Sequence, residues 1–290
     1  MWIMLAVLAA FGQALSWAFK KKTLQITGLN NSLGAVSFIT AGMLLAGLHV
    51  IFDQHVVINA SFVWATSGVI VLNVIAVSAM YKALDSGMDF GSLMPFMALT
   101  SLAVVPIEYF VRGILPQAMQ VVGIVSVVGG VIIFSFRPWH KRDLNGILYF
   151  GVTMACYSIV PVLMAVAVHA SGSGLFSAAV FHLGIAVGFL VLVFITSEQT
   201  SWRNMSAQSC YHILLRMITA GVIIAFVENG PATLALQSAS ASEVFAIKRL
   251  MPLFALVIGR WYFKERNITH TMKIGVGLMI AGSAVVIWFQ

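Results

Sequence analysis

Residues 117–143 read QAMQVVGIVSVVGGVIIFSF followed by RPWHKRD: 20 residues without a charge, then seven that include Arg137, Lys141, Arg142 and Asp143. A helix crossing a bilayer needs about 20 mostly apolar residues. Lipid does not tolerate unpaired backbone, so a run of this kind reads as a spanning helix that ends in a basic loop. Working outward, nine more such runs lie near 2–19, 33–52, 61–81, 89–111, 145–168, 174–196, 210–229, 239–261 and 269–289. The separators, near 20–31, 53–60, 82–89, 137–143, 171–174, 198–208, 230–238 and 260–269, hold most of the charges and turn residues. The chain of 290 residues is 60% hydrophobic and 9% charged, where soluble domains run near about a quarter charged. The expected fold class is all-α integral membrane, with ten transmembrane helices.

Basic residues orient the spans. Lys20–Lys22, Lys82, Arg137, Lys141, Arg142, Arg203, Arg260, Lys264 and Arg266 fall on one side of a ten-span arrangement, and Arg216 and Lys273 sit just inside helices at that side. Arg112 falls in a loop on the other side. Loops rich in Lys and Arg stay in the cytoplasm, which places both termini outside, in an inner (plasma) membrane. The net charge of +7 then belongs to topology, and no nucleic-acid partner is expected. Met1–Phe19 is apolar, is not preceded by a basic region and is not followed by a small-x-small site, so an uncleaved first helix is expected. Cys156 and Cys210 suggest neither a disulfide framework nor a metal site. Hydrolase, zinc-protease and phosphate-loop motifs are absent. The expectations are therefore no enzyme, no cofactor and no metal.

Residues 83–136 align with 235–288 at a constant offset of 152: Ala83-Leu84-x-Ser86 matches Ala235-Leu236-x-Ser238, and Gly123 and Gly130 match Gly275 and Gly282. Two repeats, 1–138 and 139–290, would hold five spans each, and an odd number inverts the second against the first. Inverted repeats are a recurrent transporter plan, with the substrate site between the halves near the midplane.

Pro252-Leu253-Phe254-Ala255-Leu256 through Trp261-Tyr262-Phe263-Lys264-Glu265, then Ile274-Gly275-Val276-Gly277 and Ala281-Gly282, resembles the EamA family of the drug/metabolite transporter superfamily, ten-helix type. In the first repeat Thr100 stands opposite Pro252 and Gly113 opposite Glu265, so the pattern is clear only in the second half. The resemblance implies a secondary active carrier of a small metabolite, often an exporter, working by alternating access. Its partners would be a small-molecule substrate, membrane lipid and, for coupling, protons, and it would act as a monomer or a homodimer. A flippase for a lipid-linked or amphiphilic precursor is the alternative. An integral-membrane enzyme or a non-transporting receptor subunit fits less well.

Lys248 and Arg249 stand near the middle of the ninth run. A cation at bilayer centre costs roughly 2.5–3.5 kcal/mol on insertion scales and normally faces a partner, water or the bundle interior. Either residue could hold an anionic group of the substrate, which favours an anionic or zwitterionic solute. A structural ion pair with Glu228 or Glu243, or snorkelling to the interface, are the other readings. Trp17, Asn73, Tyr157 and His182, with Gln13 and Ser16, are candidate lining residues; helix-packing roles stay open for each. Glu228, Glu243 and Glu108 are coupling or ion-pair candidates, against a helix N-terminal charge for Glu243 and a wet interfacial position for the other two. Pro95 and Pro252 are candidate gating joints, and Pro106 and Pro161 also fall inside spans. The glycines of the fifth and tenth runs are expected to let two backbones pack closely.

Overall fold

The computed structural model describes residues 1–52, 55–86, 97, 99–114, 116–135, 144–203, 205–262 and 270–289. Every secondary element among them is helical. The long helices are α1 (Trp2–Thr27), α2 (Asn30–Phe52), α3 (Ala60–Asp85), α4 (Thr100–Arg112), α5 (Ala118–Ser135), α6 (Leu144–Ser171) and α7 (Gly174–Ile195). A short α8 (Glu198–Arg203) leads to α9 (Ala207–Ile223), which passes through a π-helical segment, Ile224–Asn229, into α10 (Gly230–Ala235). Then come α11 (Ala241–Lys248), α12 (Met251–Tyr262) and α13 (His270–Trp288).

Six helical runs among the described residues are long and apolar enough to cross a membrane: α1, α2, α3, α6, α7 and the continuous stretch Ala207–Ala235. α5 and α13 are apolar but shorter. Phe110 and Trp288, each 83% exposed, illustrate the apolar outer surface that a lipid solvent accommodates and water does not.

The helices pack in pairs drawn from the two halves of the chain: α5 on α13, α3 on α6, α2 on α7, and α1 on the α9–α10 run. α5 and α13 meet through glycines. A Cβ built at Gly123 would lie 2.7 Å from the Gly282 carbonyl oxygen, one at Gly282 would lie 2.5 Å from the Gly123 oxygen, and one at Gly130 would lie 2.6 Å from the Gly275 oxygen. The expected close packing of these helices is what the structure has. Gly282→Val should force the backbones apart. A loss of about 1–3 kcal/mol of stability is expected for such overpacking, read as a lower melting temperature in detergent.

Two separators differ from expectation. The segment expected as a loop from Lys20 is helix as far as Thr27, and Lys20 and Lys21 are buried at 2% and 8% exposure. The lysine stems and charges are absorbed by the protein rather than by water: Lys20 Nζ sits 4.4 Å from the Trp17 ring centre and 5.3 Å from that of Phe38. Glu228-Asn229-Gly230-Pro231 does not close its helix. Pro231 removes the donor that would reach the Val227 carbonyl, the chain widens into a π turn, and helix resumes as α10.

Candidate functional site

Two helices lose regularity at the same place. In the ninth run Pro252 has no N–H for the Lys248 carbonyl, and the chain turns at Arg249–Leu250 between α11 and α12. In the eighth run the π turn carries Glu228 and Asn229. Such turns within a helix commonly mark functional positions. α1 lies directly against the π turn: a Cβ at Gly12 would collide with the Val227 carbonyl, so only glycine lets Gln13 approach Glu228 this closely.

Between these elements lies a cavity of about 640 Å³ of empty space, partly continuous with solvent. α1 contributes Gln13, Trp17 and Lys20; α3 contributes Asn73; α6 contributes Tyr157 and Pro161; α7 contributes His182; the π turn contributes Glu228 and Asn229; α11 and its end contribute Lys248 and Arg249. Of the candidate lining residues, Gln13, Trp17, Asn73, Tyr157 and His182 border this space together with Lys248 and Arg249, and Ser16 does not. Lys248 and Arg249 stand at the C-terminal end of α11, where the helix dipole is negative and favours cations.

The two neighbours do different work. Arg249 donates from Nε to Ser101 Oγ at 3.3 Å and from Nη2 to Thr100 Oγ1, tying α11 to α4. Lys248 Nζ donates to Asn229 Oδ1 at 3.3 Å. The Asn229 amide N contacts His182 Nε2 at 3.1 Å, and His182 Nδ1 lies 2.5 Å from the Ala178 carbonyl oxygen. A carbonyl only accepts, so the proton is on Nδ1, Nε2 accepts from the amide N–H, and the amide oxygen is left for the ammonium. His182, Asn229 and Lys248 therefore form one ordered chain.

Neither expected ion pair with Lys248 or Arg249 is present among the described residues, where Arg112–Glu108 at 2.8 Å is the salt bridge. Glu228 Oε2 and Gln13 Oε1 are buried without a hydrogen-bond partner.

Two expected site residues lie elsewhere. Glu243 forms a capping box: its carboxylate accepts from the Ser240 backbone N–H at 2.9 Å, while Ser240 Oγ accepts from the Glu243 N–H at 3.2 Å, and Gln120 Nε2 donates to the carboxylate at 3.1 Å. Glu108 is not at a wet interface. It is fully buried and accepts from the backbone N–H of Ala241 at 2.8 Å and of Ser242 at 2.7 Å, holding the start of α11. Pro95 lies outside the described residues. Pro252 is buried at the break already described. Ser16 is buried in α1 with an unpartnered hydroxyl, Pro106 lies inside α4, and Arg216 is half-buried in α9.

Lys20, Asn229, Phe38 and Phe245 are lining residues that sequence reasoning missed. One signal was available for Lys20: Gln13, Trp17 and Lys20 are spaced by four and three, which puts them on one helix face.

Apolar helices interrupted beside a charged internal cavity are the construction of a membrane transporter. Residues 144–288, half of the chain, match the EamA-like transporter family, and the chain belongs to that family, within the drug/metabolite transporter superfamily. It is a multi-pass membrane protein. One solved structure, described only as the crystal structure of a protein, superposes with a TM-score of 0.71 at 14% identity over 98% of both chains; that likeness speaks to the fold. Comparison with curated protein sequences finds no match.

Proposed function

We propose that the protein is a secondary active transporter that exports a small anionic or zwitterionic metabolite across the inner (plasma) membrane by alternating access, with its substrate in the cavity beside Lys248. The observation that carries this reading is the cluster of buried cations, Lys20, Lys248 and Arg249, around a space that Glu228 alone among the described carboxylates borders. Cations held out of water without carboxylate partners favour an anionic group arriving from elsewhere.

The proposed architecture is ten spans in two inverted five-helix repeats, 1–138 and 139–290, with both termini outside. The pairing of helices supports it. A two-fold relation that exchanges α3 with the α9–α10 run, and α6 with α1, turns the α3–α6 contact into the contact of α1 with that run. It also maps α5–α13 and α2–α7 onto themselves. Gly123 meets Gly282 while Gly130 meets Gly275, the reciprocal pattern that a two-fold axis requires. Family resemblance supports export as the direction.

Glu228 is the proposed proton-coupling residue, since its unpartnered oxygen stands in the same cavity as the cations. Reconstituted vesicles test both assignments. An imposed pH gradient should drive accumulation of the cargo several-fold in the wild type. Lys248→Met should lose cargo binding at least tenfold, and Glu228→Gln should keep downhill flux but ignore the gradient. Unchanged transport in both variants would defeat the proposal.

A further inference from the structure

Within the transporter reading, on which this inference rests, we infer that the cargo is a compact dianion that also carries a hydroxyl donor: a phosphate monoester or a hydroxy-dicarboxylate.

The charges come first. Lys20, Lys248 and Arg249 are 2%, 3% and 2% exposed, and Glu228 is 5% exposed. All four border one cavity. Among the described residues the cluster has an excess of two positive charges when its members are ionised. His182 does not add to it, because its Nδ1 proton and its Nε2 acceptor are both committed. Tyr157, the other titratable group on the wall, is neutral in its ordinary state. A monoanion or a zwitterion would leave the occupied cavity positive. A dianion brings it to neutrality, which a low-dielectric interior demands of an occluded state.

Spare hydrogen-bonding capacity points the same way. Lys20 rests on the faces of Trp17 and Phe38, and the ammonium N–H groups not directed at the rings are left for another partner. Lys248 uses one donor on Asn229 and lies 5.3 Å from the Phe245 ring. Arg249 spends Nε and Nη2 on α4 and contributes mainly its charge. Two lysines on facing elements, α1 and α11, thus offer several aimed donors to the oxygens of one small group. The same wall has two buried acceptors without donors, Gln13 Oε1 and Glu228 Oε2. A cargo hydroxyl would satisfy them, whereas a bare anion would not.

The dianion has two possible sources: a soluble metabolite, or the phosphate headgroup of an amphiphile. Purified full-length protein in detergent at pH 7.5 is titrated with five probes: glycerol 3-phosphate, malate, lactate, alanine and lysophosphatidic acid. Binding is read by thermal shift and calorimetry. The phosphate monoester is mostly doubly charged at this pH, because its second pKa is about 6. Glycerol 3-phosphate and malate are expected to bind at least tenfold tighter than lactate and alanine. Lys20→Gln should bring that ratio close to one, and Lys20→Arg should retain it. Binding of lysophosphatidic acid alone would support the dianion and assign its source to a lipid headgroup. Lactate or alanine binding as tightly as the dianions, or a ratio that Lys20→Gln leaves intact, would overturn the inference while leaving the transporter reading standing. Binding by none of the five would overturn the inference, while the transporter reading is tested separately by the pH-gradient experiment.

Discussion

Replacing Lys20 with methionine is expected to raise the melting temperature of the ligand-free protein and, in the same variant, to weaken anion binding at least tenfold. Lys20 is 2% exposed and touches ring faces rather than a carboxylate. Methionine keeps the length of the stem and its contacts with Trp17 and Phe38 while deleting a desolvated charge. Exchanging buried charges for apolar groups of similar volume is often neutral or stabilises by about 1–4 kcal/mol. A hydrogen bond to a charged group contributes about 1.5–3 kcal/mol, and about 1.4 kcal/mol is a factor of ten in affinity. Stability and binding should therefore move in opposite directions, as befits a residue kept for its ligand. Arg249→Met is the contrast. It would take from the Ser101 hydroxyl its Arg249 partner, leave Thr100 with its bond to the Met97 carbonyl alone, and cut the tie between α11 and α4, so stability and binding should fall together. Differential scanning fluorimetry with calorimetric titration of the same preparations reads both quantities. A lower melting temperature for Lys20→Met would show that Lys20 is structural.

The membrane class and most helices were legible because apolar runs and charged separators alternate on the scale of a bilayer, and that signal is local. Lys248 and Arg249 were legible for the same reason: two cations inside an apolar run have no cheap explanation. Lys20 was obscured by its neighbours. A run of three lysines at the end of an apolar segment looks like a loop, and only the arrival of Phe38 from α2 makes an interior position tolerable for the first of them. Glu108 shows the same limit. Its i,i+4 partner Arg112 can be read from spacing, but its role at the start of α11 depends on contacts 133 and 134 residues along the chain. Glu243 could be placed from the sequence, because Ser240-x-x-Glu243 is a capping box in its own right. The break at Pro252 was visible as a proline, and the π turn at Glu228 was half visible in Gly230-Pro231. Neither proline discloses that both irregular stretches border the same space, which is a property of the packing of α1 against the two helices.

Exchange should outpace net flux by at least tenfold: vesicles preloaded with unlabelled cargo should take up labelled cargo that much faster than empty vesicles at equal external concentration. The argument is the charge of the returning carrier. To reset without cargo the protein must occlude Lys20, Lys248 and Arg249 with Glu228 as the one described carboxylate on the cavity wall. The effective cost of desolvating an uncompensated ion is several kcal/mol, and each 1.36 kcal/mol added to a barrier slows it about tenfold. Cation–π contacts from Trp17, Phe38 and Phe245 offset about 0.5–2 kcal/mol each, which lowers that barrier without removing it. A bound dianion removes it, so the loaded carrier crosses readily in both directions while the empty one lags. Lys20→Gln takes one charge out of the returning state and should therefore narrow the gap between exchange and net uptake, even as it weakens binding. A wild-type protein whose net uptake equals its exchange would show that the lysines lose their protons when the cavity empties. Protons would then travel inward with each cargo molecule taken up, visible as acidification of the lumen of weakly buffered vesicles.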